Sequence, residues 1–542
     1  MSPAGMCLSE RSVEKDAVFL LRLVLSSSVT QDSAFYSQFS ATHTKTNIDH
    51  TWKTVNSVKD ALRDTAKDSL KEKLLQLQCH FTWTLQLEDV EWDDLQERLN
   101  YTIEADIVQY KVMPYNLLIF VNCVRGKHEE AFNNLWEAEE ILKKDHKSNV
   151  EKWSIVTYGN AAWVYYHVGE VAGAQAYLDK LERICQQFPD ASRFTAMTPE
   201  VYGEKGWSLL RFGWKYYEEA NECIEKALEA DPDNIEWNTA HATSLFRIKE
   251  IFGDPQCPEH CKVVKQLHRA LELNPKDSFL KVMLAQRLQY FKQKEESHRL
   301  LEDVLLNSPD DPYLIQYVAK ALRKEGSVEQ SLEMLKKALM DKPNSGLLHH
   351  QIGLCYKKKL SEQQKTPYKY LAHEERKNLI ELCKYHFQTA FDQKPSLIFA
   401  MLDLIEILKE TKEYSKIDEI YENQIRNKDC NDINRHLIFG NYGIYQLYGK
   451  RSQPNAIRYF KECLKIKTWG ELSMKCRAEL EGIAEHRLNE YSRDSVAFGI
   501  LGFLCQLDGK KSEAIGYFQR ALECDRNNEE FQNALSELME AA

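Results

Sequence analysis

Hydrophobic and small residues recur at an interval of 34 residues through the middle of the chain. Three segments, HRALELNP, EDVLLNSP and KKALMDKP, carry the same order of apolar and polar positions, and each ends in proline. The matching positions are Leu267, Leu301 and Leu335; Ala270, Val304 and Ala338; and Pro275, Pro309 and Pro343. Apolar residues three or four positions apart lie on one face of a helix, and proline ends a helix. The pattern therefore predicts pairs of helices repeated along the chain.

A period of 34 residues is that of the tetratricopeptide repeat (TPR), a helix-turn-helix unit that stacks on its neighbours. Small residues let the two helices of a unit approach, and larger ones fill the space between units. The positions that fit are Ala131, Leu135 and Ala138; Ala174, Leu178 and Leu181; Ala220, Ile224 and Ala227; Ser331, Leu335 and Ala338; Phe387 and Ala390; Ile417 and Tyr421; Ala456, Phe460 and Cys463; and Ala514, Phe518 and Ala521. The sequence predicts an all-α TPR superhelix of about nine units with a concave inner surface.

The spacing is regular only in the middle of the chain. Insertions near 249–262 and 360–378 predict extra helices and breaks in the superhelix. The expected divisions are an N-terminal extension at 1–66, an N-terminal TPR subdomain at 67–250, a central TPR subdomain at 251–410 and a C-terminal TPR subdomain at 411–542. The extension is polar and rich in Ser and Thr, so the order of its structure is left open.

Composition agrees with a helical repeat protein. Gly (21) and Pro (14) are scarce, and 43% of the 542 residues are hydrophobic, which excludes collagen-like and largely disordered chains. The net charge of −11 argues against a surface that coats nucleic acid broadly, but a local basic pocket remains compatible with it. No stretch approaches the roughly 18 apolar residues of a membrane span. Acidic residues precede the apolar segment 17–29, where a secretory signal is positive, so we expect a cytoplasmic protein.

Motifs for catalysis or metal binding are scarce. The fourteen cysteines are scattered singly and are typical of reduced core residues. Cys257 and Cys261, with His260 and His268 nearby, could supply part of a zinc site, although two free thiols in a proline-containing loop is the simpler interpretation. No GxxxxGK[ST] phosphate loop, HExxH zinc motif or GxSxG nucleophile elbow occurs. The sequence therefore predicts a binding protein and not an enzyme.

Longer segments resemble the interferon-induced proteins with tetratricopeptide repeats. They are KDSLKEKLLQLQCHFTWTL at 67–85, SIVTYGNAAWVYYHVGE at 154–170, EKGWSLLRFGWKYYEEA at 204–220, LLHHQIGLCYK at 347–357 and LGFLCQLDGKKSEAIGYFQRAL at 501–522. The resemblance runs from about residue 67 to the C-terminus. It implies a cytosolic antiviral effector that holds the 5′ end of single-stranded RNA, with a triphosphate or an incompletely methylated cap, in a basic tunnel inside the superhelix. Such a protein sequesters foreign transcripts from translation.

The alternative hypothesis is a TPR adaptor in innate immune signalling that binds only proteins, since TPR proteins usually bind peptides on their inner surface. Under the first hypothesis the expected partners are single-stranded RNA with a 5′-triphosphate or cap, related family members and the translation initiation machinery, but not membranes or DNA. No cofactor is expected apart from a divalent ion that could accompany the RNA phosphates.

The resemblance implies a 5′-end site composed of Arg98, Trp207, Arg211, Tyr217, Glu236 and Arg247. Trp207 and Arg211 are four residues apart and would share a helix face, where cap-binding members have a tryptophan that stacks on guanine and a cation that touches the phosphates. The alternative interpretation of Trp207 is a core tryptophan of the repeat. Glu236 matches a carboxylate that pairs with the guanine edge, and three arginines suit a ligand with three to four negative charges.

Other positions match the path of the RNA strand. They are Arg287, Tyr313, Tyr317, Arg323, His350, Gln351, Phe399 and Lys475. His350 and Gln351 can form hydrogen bonds with ribose hydroxyls, which distinguish RNA from DNA. Four positions depart from the family pattern and lose a charge or a donor: Thr102, Gln109, Gln316 and His486. Phe518 and Leu522 stand where some members have a Tyr-x-x-x-Leu self-association motif.

Overall fold

The computed structural model describes residues 67–85, 87, 90–105, 108–145, 150–252, 261–308, 311–363, 371–428, 430–466 and 470–540. The N-terminal extension predicted at 1–66 and Cys257 of the suggested zinc pair lie outside the described residues. The side chain of Tyr313 also lies outside them.

The described chain is built from α-helices, as the repeat pattern predicts. They are α1 (residues 67–74), α2 (Trp92–Glu104), α3 (Val112–Val124), α4 (His128–Asp145), α5 (Val150–His167), α6 (Val171–Cys185), α7 (Pro199–Leu209), α8 (Tyr217–Ala230), α9 (Ile235–Phe252), α10 (Lys262–Leu273), α11 (Ser278–Tyr290), α12 (Lys294–Asn307), α13 (Pro312–Glu325), α14 (Val328–Asp341), α15 (Gly346–Gln363), α16 (Leu371–Gln393), α17 (Ile398–Glu410), α18 (Tyr414–Arg426), α19 (Asp432–Ile444), α20 (Gln453–Lys465), α21 (Glu471–Glu490), α22 (Ser495–Leu507), α23 (Lys511–Cys524) and α24 (Glu529–Glu540). None of these described helices is long and apolar enough to cross a membrane.

Consecutive helices pack in pairs. Within the described residues nine such helix-turn-helix pairs form: α3–α4, α5–α6, α7–α8, α11–α12, α13–α14, α15–α16, α17–α18, α19–α20 and α22–α23. The predicted TPR architecture is thus confirmed. The described part of the insertion at 360–378 lengthens α15 and α16.

The chain divides into two compact units. The first unit contains residues 67–85 and Glu91–Ile248. The second contains residues 87 and 90 and runs from Lys249 to the end of α24. The division falls near the end of α9. All six residues of the predicted 5′-end site belong to the first unit, and all the predicted path residues belong to the second.

The repeat positions chosen from the sequence form the cores of the units. Ala174, Leu178, Ala456 and Phe460 are fully buried, and so are Ala514 and Ala521. Small residues on the first helix of a pair lie directly beneath large ones on the second. A Cβ atom added to Gly353 would lie 2.6 Å from the ring of Phe387, and one added to Gly443 would lie equally close to Phe460. Any larger residue there would force the helices apart.

Phe518 follows the same rule. Its ring is buried within its own repeat, 3.0 Å from a Cβ that would be added to Gly502, and it also faces the ring of Phe531 at 6.3 Å. The aromatic residue at the position of the self-association motif therefore belongs to the core of the repeat.

The first helix of several pairs ends in one recurring turn. Gly326 and Gly509 have φ of +112° and +72°, and the residue after each donates its N–H to a carbonyl five residues earlier, from Ser327 to Leu322 (2.9 Å) and from Lys510 to Cys505 (2.9 Å). Glycine is favoured there because side chains strain the left-handed conformation. Lys412, which follows α17, takes the same conformation with φ of +60°.

The twelve cysteines in the described residues are free, and most are buried. Burial raises the pKa of the thiols of Cys79, Cys123 and Cys383 to about 12. These thiols are protonated at neutral pH and are inert as nucleophiles. Cys524, at the end of α23, is exposed.

We expect Lys412→Gly to stabilise the protein, because glycine adopts the left-handed turn without strain. The gain should be about 0.5–1 kcal/mol and should appear as a higher urea midpoint. The control is Glu419→Gly at an exposed position inside α18, which should lower the midpoint by a similar amount. A lower midpoint for Lys412→Gly would show that the turn does not strain the lysine.

Candidate functional site

The predicted 5′-end site is organised around the C-terminal end of α7. Thr198 caps the start of this helix, where its hydroxyl accepts the N–H of Val201 (3.4 Å), and Pro199 occupies the first turn. Glycines then bring the helix close to its neighbours. A Cβ on Gly206 would lie 2.5 Å from Ile224 of α8, and one on Gly203 would lie 2.2 Å from the indole of Trp237 on α9. This close packing places residues of α9 beside the end of α7.

Two arginines satisfy backbone carbonyls at that end. Arg211 donates from Nη1 to the carbonyl oxygen of Trp207 (2.6 Å), and Arg247 of α9 donates from Nη1 to that of Leu210 (2.7 Å). The last carbonyls of a helix have no partner inside it, and the helix dipole places partial negative charge there. The end of α7 is therefore an environment that stabilises two neighbouring cations.

The three predicted arginines act on one another. Burial lowers the pKa of Arg211, the charge of Glu236 opposes this, and the charges of Arg247 and Arg98 lower the pKa further. Arg98, on α2, is itself paired with Asp94 at 3.0 Å. The structure thus brings Arg98, Arg211 and Arg247 within electrostatic range. A bound anion would relieve their mutual repulsion.

The two predicted aromatic residues each lie against one of these cations. The guanidinium carbon of Arg211 is 3.1 Å from the centre of the Trp207 ring, and that of Arg247 is 5.4 Å from the Tyr217 ring. The side chains of Trp207 and Arg211 therefore lie together, although Arg211 belongs to the turn that follows the last residue of α7, Leu209, and not to the helix. Trp207 is only 3% exposed, so it also has the burial of a core tryptophan.

Glu236 and the two nearby residues that depart from the family pattern, Thr102 and Gln109, form hydrogen bonds within the protein. Glu236 is 8% exposed, and its carboxylate accepts the backbone N–H of Gln109 (2.9 Å). Because that donor is backbone, the loss of a lysine side chain at position 109 leaves this contact unchanged. Thr102 is buried, and its hydroxyl donates to the carbonyl of Arg98 (2.8 Å). The hydroxyl hydrogen of Thr102 is therefore already bonded within α2.

A chain of hydrogen-bonded, buried polar side chains reaches α7 next to Trp207. His80 Nε2 contacts the Ser208 hydroxyl at 2.9 Å, and its Nδ1 accepts from Asn160 (3.0 Å). Asn160 also donates to the carbonyl of Asn116 (3.0 Å), and Asn116 donates to the carboxyl of Glu204 (2.8 Å). All five side chains are almost completely buried. The network joins the CHFTW segment, α3 and α5 to the helix that carries Trp207.

Burial sets the charge states of this network. It lowers the pKa of His80 to about 3, so the imidazole is neutral. It raises the pKa of Glu204 to about 8, against the smaller opposing effect of the Asn116 hydrogen bond, so the carboxyl is mostly protonated at neutral pH. A neutral network is the arrangement expected where water is excluded.

In the second unit, polar side chains connect the first helices of successive pairs. Gln286 of α11 donates to the carbonyl of Tyr317 on α13 (3.2 Å), and Arg323 of α13 donates to Gln351 of α15 (2.8 Å). His350 of α15 bonds through Nε2 to Asp403 of α17 (2.8 Å). Two predicted path residues, Arg323 and Gln351, are therefore in direct contact.

Asp403 is held from two sides. It also accepts from Lys357 (2.7 Å), which makes a second ion pair with Glu406. Although burial alone would raise it, the hydrogen bonds from His350 and Lys357 lower the pKa of Asp403 below its usual value. The carboxylate is thus charged and fixes the orientation of the His350 ring.

The remaining path residues differ in exposure. Arg287 is 6% exposed, and its Nε and Nη2 atoms are buried without a hydrogen-bond partner. Phe399 (58%) and Tyr317 (38%) present large aromatic surfaces to solvent, and Lys475 is also exposed. Of the other departures, Gln316 is half-buried, while His486 is exposed and lies 3.9 Å from Glu490.

Sequence reasoning missed the residues that hold the site residues in place. These are Asn116, Asn160, Glu204, Ser208, Lys357, Asp403 and Glu406. The seven-residue spacing of His350 and Lys357 on one helix face was a signal for a shared partner. Among the described residues no group of three or more His, Cys, Asp or Glu side chains is placed to hold a metal ion.

Comparisons with known proteins agree with this architecture. A tetratricopeptide-repeat family model matches residues 199–234, which include α7 and α8. The chain is also 37% identical over 456 residues to the antiviral innate immune response effector IFIT1 of Macaca fascicularis, covering 84% of this chain and 95% of that protein. Human interferon-induced protein with tetratricopeptide repeats 2 is 31% identical over 469 residues, covering 85% and 97%. The chain therefore belongs to the interferon-induced proteins with tetratricopeptide repeats, and the predicted resemblance is confirmed.

Solved structures of a relative contain RNA ends. The human IFIT1 dimer with m7Gppp-AAAA is 36% identical and matches with a TM-score of 0.64, covering 84% of this chain and 99% of that one. The human IFIT1 dimer with PPP-AAAA has the same identity and coverage, and its TM-score is 0.61.

We expect Glu204→Gln to stabilise the protein at neutral pH. Between its usual pKa of 4.5 and about 8, the unfolded chain releases a proton that folded Glu204 keeps, so the free energy of unfolding falls as pH rises through this window. The slope is at most roughly 1.4 kcal/mol per pH unit. Glutamine keeps the acceptor for Asn116 without a charge.

Thermal melting of both proteins from pH 5 to pH 8 tests this. The variant should lose less stability over that range than the parent. The control, Glu219→Gln, removes a carboxylate that pairs at the surface with Lys205 and should leave the pH profile unchanged. Parallel profiles for the parent and Glu204→Gln would contradict the expectation.

Proposed function

We propose that this protein binds the 5′ end of single-stranded RNA that carries a triphosphate or an incompletely methylated cap, and that it sequesters such RNA from translation. The observation that carries the proposal is the convergence of Arg98, Arg211 and Arg247 in the first unit, beside Trp207. Family membership adds to it, because human IFIT1 holds PPP-AAAA and m7Gppp-AAAA in solved structures.

The electrostatics of the first unit suit a triphosphate. A 5′-triphosphate concentrates three to four negative charges within a few ångströms, and guanidinium groups bind phosphate oxygens through paired N–H donors. Each arginine that caps α7 uses one nitrogen for a carbonyl and retains other donors for a ligand. Because the cations already repel one another, binding an anion removes an unfavourable interaction and adds favourable ones. RNA with a 5′-hydroxyl offers neither effect.

The second unit, taken by itself, carries side chains that suit a single RNA strand. Tyr317 and Phe399 expose aromatic surface on which bases can stack, and Arg323 with Gln351 supplies a cation and an amide. His350 is 8% exposed and its Nε2 is bonded to Asp403, so its Nδ1 is the ring atom that would accept from a ribose hydroxyl. A divalent ion would be part of the ligand in this proposal, held by the phosphate oxygens.

We expect Arg247→Ala to remove most of the preference for a phosphorylated end. Losing a charge-assisted contact to phosphate should weaken binding of 5′-triphosphate RNA roughly 10- to 100-fold, with little effect on 5′-hydroxyl RNA. Filter-binding titrations with two RNAs that differ only at the 5′ end measure both affinities. The control is Arg193→Ala, because Arg193 is an exposed arginine of the same unit paired with Glu182.

Salt dependence adds a second measurement. Binding of the triphosphate RNA should weaken as salt rises, and the slope should be shallower for Arg247→Ala than for the parent. Equal affinity of the parent for the two RNA ends would overturn the proposal and favour the protein-only adaptor.

A further inference from the structure

The Trp207 ring, on which a guanine base would stack, is already covered by the protein. The Arg211 guanidinium lies over one face of the Trp207 ring, with its carbon 3.1 Å from the ring centre, and Trp207 as a whole is only 3% exposed. We propose that Arg211 makes this site select a 5′-triphosphate over a capped end by occupying the stacking face of Trp207. The inference rests on the proposed function and concerns which of its two RNA ends is preferred.

Two contacts hold Arg211 in this position. A cation over a tryptophan face is attracted to the ring, and the Nη1 hydrogen bond to the Trp207 carbonyl (2.6 Å) anchors the same side chain to the same residue. Swinging the guanidinium away would break both contacts together. It would also leave the carbonyl at the end of α7 without this donor.

A triphosphate can bind without moving Arg211. A triphosphate is compact, and its oxygens accept hydrogen bonds from N–H donors. A guanidinium has five such donors, and Arg211 uses one nitrogen for the Trp207 carbonyl. The anion also offsets the repulsion that Arg98 and Arg247 exert on Arg211. Triphosphate binding therefore reinforces the position of Arg211 on the ring.

A capped end makes the opposite demand. The guanine beyond the triphosphate bridge needs an aromatic surface, and the methylated base is itself a cation that competes with Arg211 for the Trp207 face. The other aromatic residue of the site does not remove the conflict, because Tyr217 faces the guanidinium of Arg247 at 5.4 Å. A cap can therefore stack on this face of Trp207 only after displacing Arg211.

The test is Arg211→Lys. Lysine keeps the positive charge but lacks the planar group that lies flat on the ring, so it uncovers Trp207. Dissociation constants are measured for three RNAs of one sequence that carry m7Gppp, ppp or a 5′-hydroxyl. The parent should bind the ppp end more tightly than the m7Gppp end. Arg211→Lys should shift the ratio about tenfold towards the cap while losing only a few-fold in triphosphate affinity.

The matched control is Arg193→Lys, which makes the same chemical change in an arginine of the first unit that lies outside the site and faces the Phe194 ring at 5.0 Å. It should leave the ratio of cap to triphosphate affinity near the parent value. Adding Trp207→Leu to Arg211→Lys should cancel the gain in cap binding, because the uncovered ring is then absent. Melting temperatures of all variants verify that each protein is folded.

The outcomes separate the two proposals. If the parent binds the capped end as tightly as the triphosphate end, or if Arg211→Lys leaves the ratio unchanged, Arg211 does not determine the preference. RNA-end binding then still stands, provided that both ends bind better than 5′-hydroxyl RNA. If all three RNAs bind equally, the proposed function itself fails.

Discussion

The candidate site depends on the carbonyl groups at the C-terminal end of α7, which have no partner within the helix. Cations that lie close together repel one another, and burial removes the water that would screen them. The carbonyls of Trp207 and Leu210 counter this by accepting hydrogen bonds from Arg211 and Arg247, and the helix dipole has its negative end there. The same helix end thus fixes the positions of two cations and of the indole on which one of them lies. The negative charge of a ligand would then meet guanidinium groups that are already ordered before binding.

The helix itself is held from the other side by neutral polar groups. Glu204 and Ser208 flank Trp207 in the sequence and belong to a buried network that reaches His80, which keeps α7 in a fixed rotation about its axis. Buried networks of this kind specify one arrangement because each partner left unsatisfied is unfavourable. The orientation of Trp207 therefore depends on the CHFTW segment, more than a hundred residues earlier in the chain.

The sequence predicted the fold more completely than the site. The repeat requires a small residue under a large one, as at Gly353 and Phe387, and this steric rule leaves a periodic pattern that can be read directly. The sequence also predicted that Arg211 and Trp207 lie together, because residues four apart are close in a helix and remain close in the turn that ends α7. The partners of His350 and Asn116 were not, because Asp403 and Glu204 are separated from them by 53 and 88 residues with no fixed period. The sequence also did not predict how deeply Trp207 is buried, which is why this residue could be interpreted either as a core residue or as a stacking surface.

The distribution of cysteines has a consequence for the chemistry of damage. Oxidants and alkylating reagents attack the thiolate, and the buried thiols of Cys79, Cys123 and Cys383 remain protonated at physiological pH. Cys524 differs because it is exposed at the last residue of α23. Among the twelve cysteines of the described residues, sulfenic acid formation or glutathionylation would therefore reach Cys524 first, and the buried thiols of the repeat cores would be modified only after local unfolding.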